Sequence, residues 1–392
     1  MGVKKRKVGI IIGIVIGIIV GIFLWKNNVL MNEGNEEAQW KTSELQRAAR
    51  LLDMMEEEKN LLFSPVSLDM TLGMVAEGAD GKTLESLKKF LKSDDYSMDA
   101  LQYMNSIEQH LNTSKSYGFN LYNSFWSSTE MNYKTEYQNK LETNFRADVY
   151  SVDFTDGETA QKINEWCAKR TKGQISCDID KINAETSGIF LNVVYFNGEW
   201  EKPWEVVSGE FVNAIGEKKE IDVLRTLECS RYYENQNAVG FSKKYKDNYE
   251  FIGILPKKEG DFELAELDLD SFMKSASFDY NVEAQMPRIN MKVKMEMIDV
   301  LKRYGMSDVF EEAADFSRMT EDDVAVTKIL QACELTLDEN KTTVSSTSAV
   351  IMEKGEELKE KKKVCLNRPF AFVILDTETQ QIIYMGKYLN CS

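Results

Sequence analysis

Past residue 38 the chain alternates between two hydrophobic periods. From Ser43 to Glu58, Leu45, Ala48, Leu51, Leu52 and Met55 recur at helical spacing and form one apolar face. A second helix is expected from Ser67, whose hydroxyl suits a helix start, to Glu77, just before Gly78. A third opens at Thr83-Leu84-Glu85-Ser86-Leu87 with Thr83 as its expected cap. Further helical patterns cover 97–111, 134–144, 158–170 and 295–304. Runs rich in β-branched and aromatic residues predict strands at Gly118–Trp126, Gly188–Phe196, Asn248–Leu255, Tyr280–Arg288, Ala332–Leu337 and Phe370–Leu375. Helices dominate early and strands later. The pattern predicts one α+β domain with helices packed on large, mostly antiparallel sheets.

The first residues follow a different rule. Lys4-Lys5-Arg6-Lys7 precedes Val8 to Trp25, an uncharged run of eighteen residues. At about 1.5 Å per residue such a helix just crosses the hydrocarbon core. The division expected is a cytoplasmic basic tail (1–7), a transmembrane signal-anchor helix (8–25), a short spacer (26–37) and one domain over 38–392 outside the cell. A cleaved signal peptide, which would release a secreted protein, is the competing reading. Phe23-Leu24-Trp25-Lys26 offers no small-residue cleavage site, which favours the anchor. Gly9, Gly13, Gly17 and Gly21 share one face of this helix, a spacing that lets two membrane helices approach and form a weak dimer. Glycine's general abundance in membrane helices is the alternative reading.

Charge and composition narrow the function. The chain carries a formal charge of -16, yet residues 1–30 hold five basic residues and no acidic one, which leaves 43 basic against 64 acidic in the rest. Such a surface repels phosphates, and nucleic acid is not an expected partner. With 5 prolines and no Gly- or Ser-rich stretch, nothing reads as an interdomain linker, and no repeat suggests a solenoid. His110 is the sole histidine, in Ser106-Ile107-Glu108-Gln109-His110-Leu111, and reads as a solvated residue on a polar helix face. Any Ser-His-Asp or Cys-His arrangement would have to use it, so a hydrolase is not expected. Cys167, Cys177, Cys229, Cys333, Cys365 and Cys391 contain no Cys-x-x-Cys pair, which argues against zinc; their spacing leaves disulfide pairing open. Gly81-Lys82-Thr83 looks like the end of a phosphate-binding loop, but Ala76 stands where its first glycine belongs and a helix precedes it. No cofactor is expected.

Several motifs then occur in a fixed order: Asn60-Leu61-Leu62-Phe63-Ser64-Pro65-Val66-Ser67, Gly78-Ala79-Asp80-Gly81-Lys82-Thr83, Asn123-Ser124-Phe125-Trp126, Val152-Asp153-Phe154, Ile163-Asn164-Glu165-Trp166 and Thr171-Lys172-Gly173-Gln174-Ile175. Asn192-Val193-Val194-Tyr195-Phe196-Asn197-Gly198-Glu199-Trp200 is the most specific. Met286-Pro287-Arg288, Gly305-Met306-Ser307-Asp308-Val309-Phe310, Asn367-Arg368-Pro369-Phe370 and Tyr384-Met385-Gly386-Lys387 complete the series. Together they resemble the serpin family across roughly the last 350 residues. The resemblance implies the serpin fold with an exposed reactive loop. It also implies inhibition of a serine protease, or a cysteine protease, by a suicide mechanism in which the cut loop enters the central sheet and drags the acylated enzyme with it. A non-inhibitory serpin with a binding or structural role is the alternative.

In that frame the loop lies between Glu339 and Asn367. Its hinge comprises Glu339, Asn340, Lys341, Thr342, Thr343 and Val344. The run from Thr342 to Met352 has no charge, proline or glycine, and Thr342, Val344, Ser346, Ser348, Val350 and Met352 would face the core on insertion. Lys341 departs from the glycine usual in inhibitory members, and Asn340 from the usual glutamate. Family spacing implies Lys354-Gly355 as the reactive bond, suited to a trypsin-like pocket, with Glu353, Glu356, Met352 and Leu358 as other candidates for the cut. Gln331 stands where the family commonly has a histidine, and an opening network of Ser64, Asn192 and Gln331 is expected beneath the sheet.

Overall fold

The computed structural model describes residues 44–391 except 56–58, 114–118, 174, 176, 184, 197, 261 and 340–358. The candidate membrane span with its glycine face, the spacer and most of the candidate loop therefore lie outside the described residues. Among those described, no helix is long and apolar enough to cross a membrane.

The early helices are α1 (44–53), α2 (Pro65–Gly78), α3 (Gly81–Leu91), α4 (Tyr96–Thr113), α5 (Thr135–Asn144) and α6 (Thr159–Arg170). Between them run β1 (Leu61–Phe63), β2 (Phe119–Ser128) and β3 (Asp148–Val152). The later chain is mostly strand: β4 (Gly188–Phe196), β5 (Glu205–Val212), β6 (Lys218–Thr226), β7 (Arg231–Glu234), β8 (Ala238–Lys244) and β9 (Tyr249–Pro256). After α7 (Leu269–Lys274) come β10 (Tyr280–Pro287), β11 (Ile289–Glu296), α8 (Ile298–Leu301), β12 (Ile329–Leu337), β13 (Glu360–Cys365), β14 (Phe370–Asp376) and β15 (Ile382–Tyr388).

These strands form three sheets, ordered β1-β15-β14-β9-β8-β7, β13-β10-β6-β5 and β11-β12-β4-β2-β3. Pairing is antiparallel except at β12–β4, β2–β3 and β10–β13, in agreement with the expected architecture. The burial of α2 explains why its pattern lacks a polar face: thirteen of its fourteen residues are buried, and it packs against β2, β4 and β12 on one side and β15 on the other. A helix apolar all round belongs between layers. Near β1, Asn60 ties the segment before that strand to the one after β15, donating to the Asn390 carbonyl at 2.7 Å and accepting from the Leu389 and Asn390 amides.

Four local expectations need correction. The hydroxyl of Ser64, rather than Ser67, caps α2, and Pro65 fills the first turn, where a missing N–H costs nothing. Asp80 caps α3 by accepting from the Gly81 amide, while Thr83 Oγ1 accepts from the Asp315 amide 2.9 Å away. Met295 and Glu296, expected in a helix, continue β11 opposite Gln331 and Leu330, because the alternation that starts at Ile289 runs through them; the helix begins at Ile298. His110 is half-buried rather than freely solvated: its Nε2 lies 2.7 Å from Glu378 and its Nδ1 3.0 Å from the Ser106 carbonyl.

Candidate functional site: the seam between β4 and β12

The middle of the five-stranded sheet holds two parallel neighbours, β4 and β12, paired from Phe190↔Ile329 to Tyr195↔Glu334. Parallel neighbours are a geometric opening. A strand that follows β12 and turns back on itself is antiparallel to both, so it can hydrogen-bond to each edge once they part. The chain leaving β12 is the segment that begins at Glu339.

Period-two alternation gives the seam two unlike faces. Asn192 and Gln331, direct register partners, point toward α2, while Val193 and Ala332 point away into a second apolar cluster under α6. On the α2 side the polar residues are almost wholly enclosed: Ser64 and Ser67 are 0% exposed, Asn123 and Asn192 1%, and Gln331 2%. Buried polar groups must find partners, and these do. The Gln331 amide closes a ring on the backbone of Ser64, accepting from its N–H at 2.8 Å and donating to its carbonyl at 2.9 Å. The Ser67 hydroxyl donates to Asn192 Oδ1, Asn192 Nδ2 donates to Asn123 Oδ1 at 2.5 Å, and Asn123 Nδ2 donates to the Phe145 carbonyl at 2.6 Å.

The three expected network residues thus meet at one place with different wiring. Ser64 takes part through its backbone while its hydroxyl caps α2. Ser67 and Asn123, which lie in the family motifs but outside the expected network, complete the chain. Their signal is present in the sequence: each is a polar residue at an inward position of an apolar run. Burial raises the Cys333 thiol, which donates toward Gln331 Oε1 from 3.4 Å, so this sulfur is no ready nucleophile.

Above the seam, the base of the candidate loop is clamped. Arg288 grips both carboxylate oxygens of Glu339 at 2.7 Å and also reaches Asp222 at 3.1 Å. This contact holds the Glu339 carboxyl below its ordinary value and raises the Arg288 guanidinium. Trp200 donates its indole N–H to the Asp338 carbonyl at 2.9 Å, and Lys292 pairs with Glu334 at 2.9 Å. Of the expected hinge, only Glu339 is described; Asn340, Lys341, Thr342, Thr343 and Val344, like the expected bond Lys354-Gly355, lie outside the described residues. Past the loop, Lys359 donates to the Phe278 carbonyl at 3.0 Å and β13 joins the four-stranded sheet as its edge. The loop therefore starts in one sheet and ends in another.

The comparisons with known proteins agree with this arrangement. The family model described as "Serpin (serine protease inhibitor)" matches residues 44–391. The chain is 25% identical over 346 residues to an uncharacterized serpin-like protein of Thermococcus kodakarensis, covering 84% of this chain and 80% of that protein. It is 24% identical over 353 residues to a serine protease inhibitor of Rattus norvegicus, covering 85% of this chain and 84% of that protein. Among solved structures, the thermophilic serpin tengpin in its native state matches with a TM-score of 0.78 and 26% identity, over 90% of this chain and 94% of that one.

Proposed function

The chain belongs to the serpin family, and on that premise we propose that it inhibits a serine protease outside the cell by a suicide mechanism. The observation that carries the reading is the β4–β12 seam, two parallel strands topped by the start of the loop. Cleavage at Lys354-Gly355 would free the loop from β13. The segment from Thr342 to Met352 would then turn back at the hinge and enter the seam antiparallel to both neighbours, carrying the acylated protease with it. One strand between two edges adds a ladder of backbone hydrogen bonds, each worth about 0.5–1.5 kcal/mol net. Ten or so such bonds, with the apolar burial of Val344, Val350 and Met352, supply several to tens of kcal/mol. Nothing in this sequence of events asks the chain for a catalytic group; the chemistry belongs to the protease.

Residues 8–25 are read as an uncleaved membrane anchor with the inhibitor domain outside, on the strength of Lys4–Lys7 and the uncharged run behind them. Gly9, Gly13, Gly17 and Gly21 would give that helix a weak dimer face, which crosslinking in membranes that yields monomers alone would dismiss. A cysteine protease as the target fits the same trapping step. A second reading, a binding serpin whose loop stays out of the sheet, is favoured by Lys341 at a hinge position where glycine would turn most freely.

Mixing the detergent-solubilised full chain with trypsin and running a denaturing gel tests the proposal. A band near the summed masses, with the loop cut after Lys354, is the expected result. Cleavage with no such band for trypsin, chymotrypsin, elastase and a glutamyl protease alike would favour the second reading.

A further inference from the structure

The face of the seam opposite α2 is covered by a strap built from two pieces. The first piece is α6, which rides on the β2–β3 side: Trp166 donates its indole N–H to Asp148 at 2.7 Å and meets the Trp126 ring edge-on at 6.5 Å. The second is the connector that follows α6, which reaches the other side. Lys294 of β11 donates to the Asp178 carbonyl at 2.8 Å. Ile175, Cys177 and Ile179 of the connector share one buried cluster with Val193 of β4 and Ala332 of β12. The strap therefore spans the line along which the sheet would have to part.

Two features make the pieces one body. Asn164 of α6 exchanges a pair of hydrogen bonds with the backbone of Ile179, both at 2.9 Å. Cys167 of α6 is disulfide-bonded to Cys177 of the connector, with their Cα atoms 6.1 Å apart. We propose that the Cys167–Cys177 disulfide is a latch across the seam that slows the parting of β4 from β12, and so governs the rate of loop insertion. The proposal rests on the insertion reading above and goes beyond it by assigning a control to that step.

The physical reason is mechanical. When β4 separates from β12, Val193 and Ala332 move apart, and the cluster between them must divide. If α6 and the connector could part, each would travel with its own half of the sheet, at the cost of the two Asn164 bonds. The covalent link forbids that division. The whole strap must then leave one half at once, giving up either the Lys294 contact and the packing on Ala332 or the Trp166 contacts with β2 and β3. A restraint satisfied in the closed sheet and costly while the seam opens acts on a rate rather than on the end state.

Opening the latch is a thiol–disulfide exchange with a dithiol reductant. One thiolate of the reductant attacks a sulfur of the pair, and its second thiol resolves the mixed disulfide. Cys167 and Cys177 are left as thiols and the reductant as a cyclic disulfide. Both cysteines are buried, at 0% and 2% exposure, so exchange itself requires the strap to lift. An oxidising exterior keeps such a bond closed.

The test uses the full chain in detergent, nicked in the loop by a brief protease pulse that is then quenched, with the gain in melting temperature followed over time. Three samples are compared: oxidised wild type, wild type reduced with dithiothreitol and shown by a thiol mass label to have opened this pair, and Cys167→Ser/Cys177→Ser. The reduced protein and the double variant should reach the heat-stable form about tenfold faster than the oxidised protein, and the variant should ignore the reductant. If the variant fails to fold, the reduced wild type makes the comparison alone. Equal rates in oxidised and reduced protein would overturn the latch while leaving insertion intact. No gain in melting temperature in any sample would overturn the insertion reading and the latch with it.

Discussion

Replacing Gln331 with alanine removes a side chain that joins β12 to the start of α2. In the wild type its amide satisfies both backbone groups of Ser64, at 2.8 and 2.9 Å. The Ser64 carbonyl keeps a second donor, the Leu68 amide at 3.1 Å, but the Ser64 N–H, buried, loses its oxygen acceptor and keeps only the weak Cys333 sulfur. A buried orphan donor costs about 1–3 kcal/mol, and the space vacated by the amide adds to that. The expected loss is about 2–4 kcal/mol, read as a lower urea midpoint by the fluorescence of the six tryptophans. Gln331→Glu keeps the volume and changes only the hydrogen bonding. A carboxylate there faces the Ser64 carbonyl, so the buried side chain should hold a proton and titrate above its unfolded value. The sign follows from that shift: the variant is closest to wild type at acid pH and loses stability as pH rises through the native value. An alanine variant within about 0.5 kcal/mol of wild type, or a glutamate variant indifferent to pH between 5 and 8, would refute the role given to this ring.

Two further outcomes are expected. Arg288→Ala should release the base of the loop, seen as faster hydrogen exchange at Asp338 and Glu339, with a stability loss of about 1 kcal/mol because the pair is partly exposed. Glu339 is held below its ordinary value of 4.5, so its contribution is full above that value and fades as pH falls below it; the melting difference between wild type and variant should shrink there. Lys243 is 2% exposed, its ammonium donating to Thr226 Oγ1 at 3.1 Å, and burial lowers its pKa from 10.5 to about 8. A drop of that size corresponds to at most about 3 kcal/mol at neutral pH, so Lys243→Met should raise the melting temperature at pH 7, with the gain fading between pH 8 and 10.5 as the wild-type amine loses its proton. A variant no more stable than wild type at pH 7 would show that the hydrogen bonds offset the burial.

Much of the fold was legible because long elements carry their period. The apolar stripe of Leu45, Ala48, Leu51, Leu52 and Met55 is buried as a stripe, and the run from Gly188 to Phe196 is a strand over that full span. Some of the strands that were missed are short or half-exposed, such as β1, β5 and β7, where a few residues give too little alternation to separate strand from loop; β8 and β15 were missed as well, because a run buried on both faces shows no alternation at all. The candidate site was legible through the family resemblance, which placed Ser64, Asn192 and Gln331 in the network but not Ser67 and Asn123, the partners of Asn192. Asn192 binds Ser67 and Asn123, far away in sequence, and only the stacking of α2 under the sheet and the pairing of β2 with β4 bring them within reach.

By itself the sequence determined the class of the fold and the order of its longer elements, because both rest on local periods and on motifs read along the chain. The tertiary structure decided which cysteines pair, which strands stand side by side at the seam, and which ion holds the loop at its base. Cys167 reaches Cys177 because the connector folds back over α6; β12 meets β4 although more than a hundred residues separate them; and Glu339 finds Arg288 across a strand connection. Such contacts depend on where the backbone turns in space. A sequence lists the residues able to make them, and packing chooses among those residues.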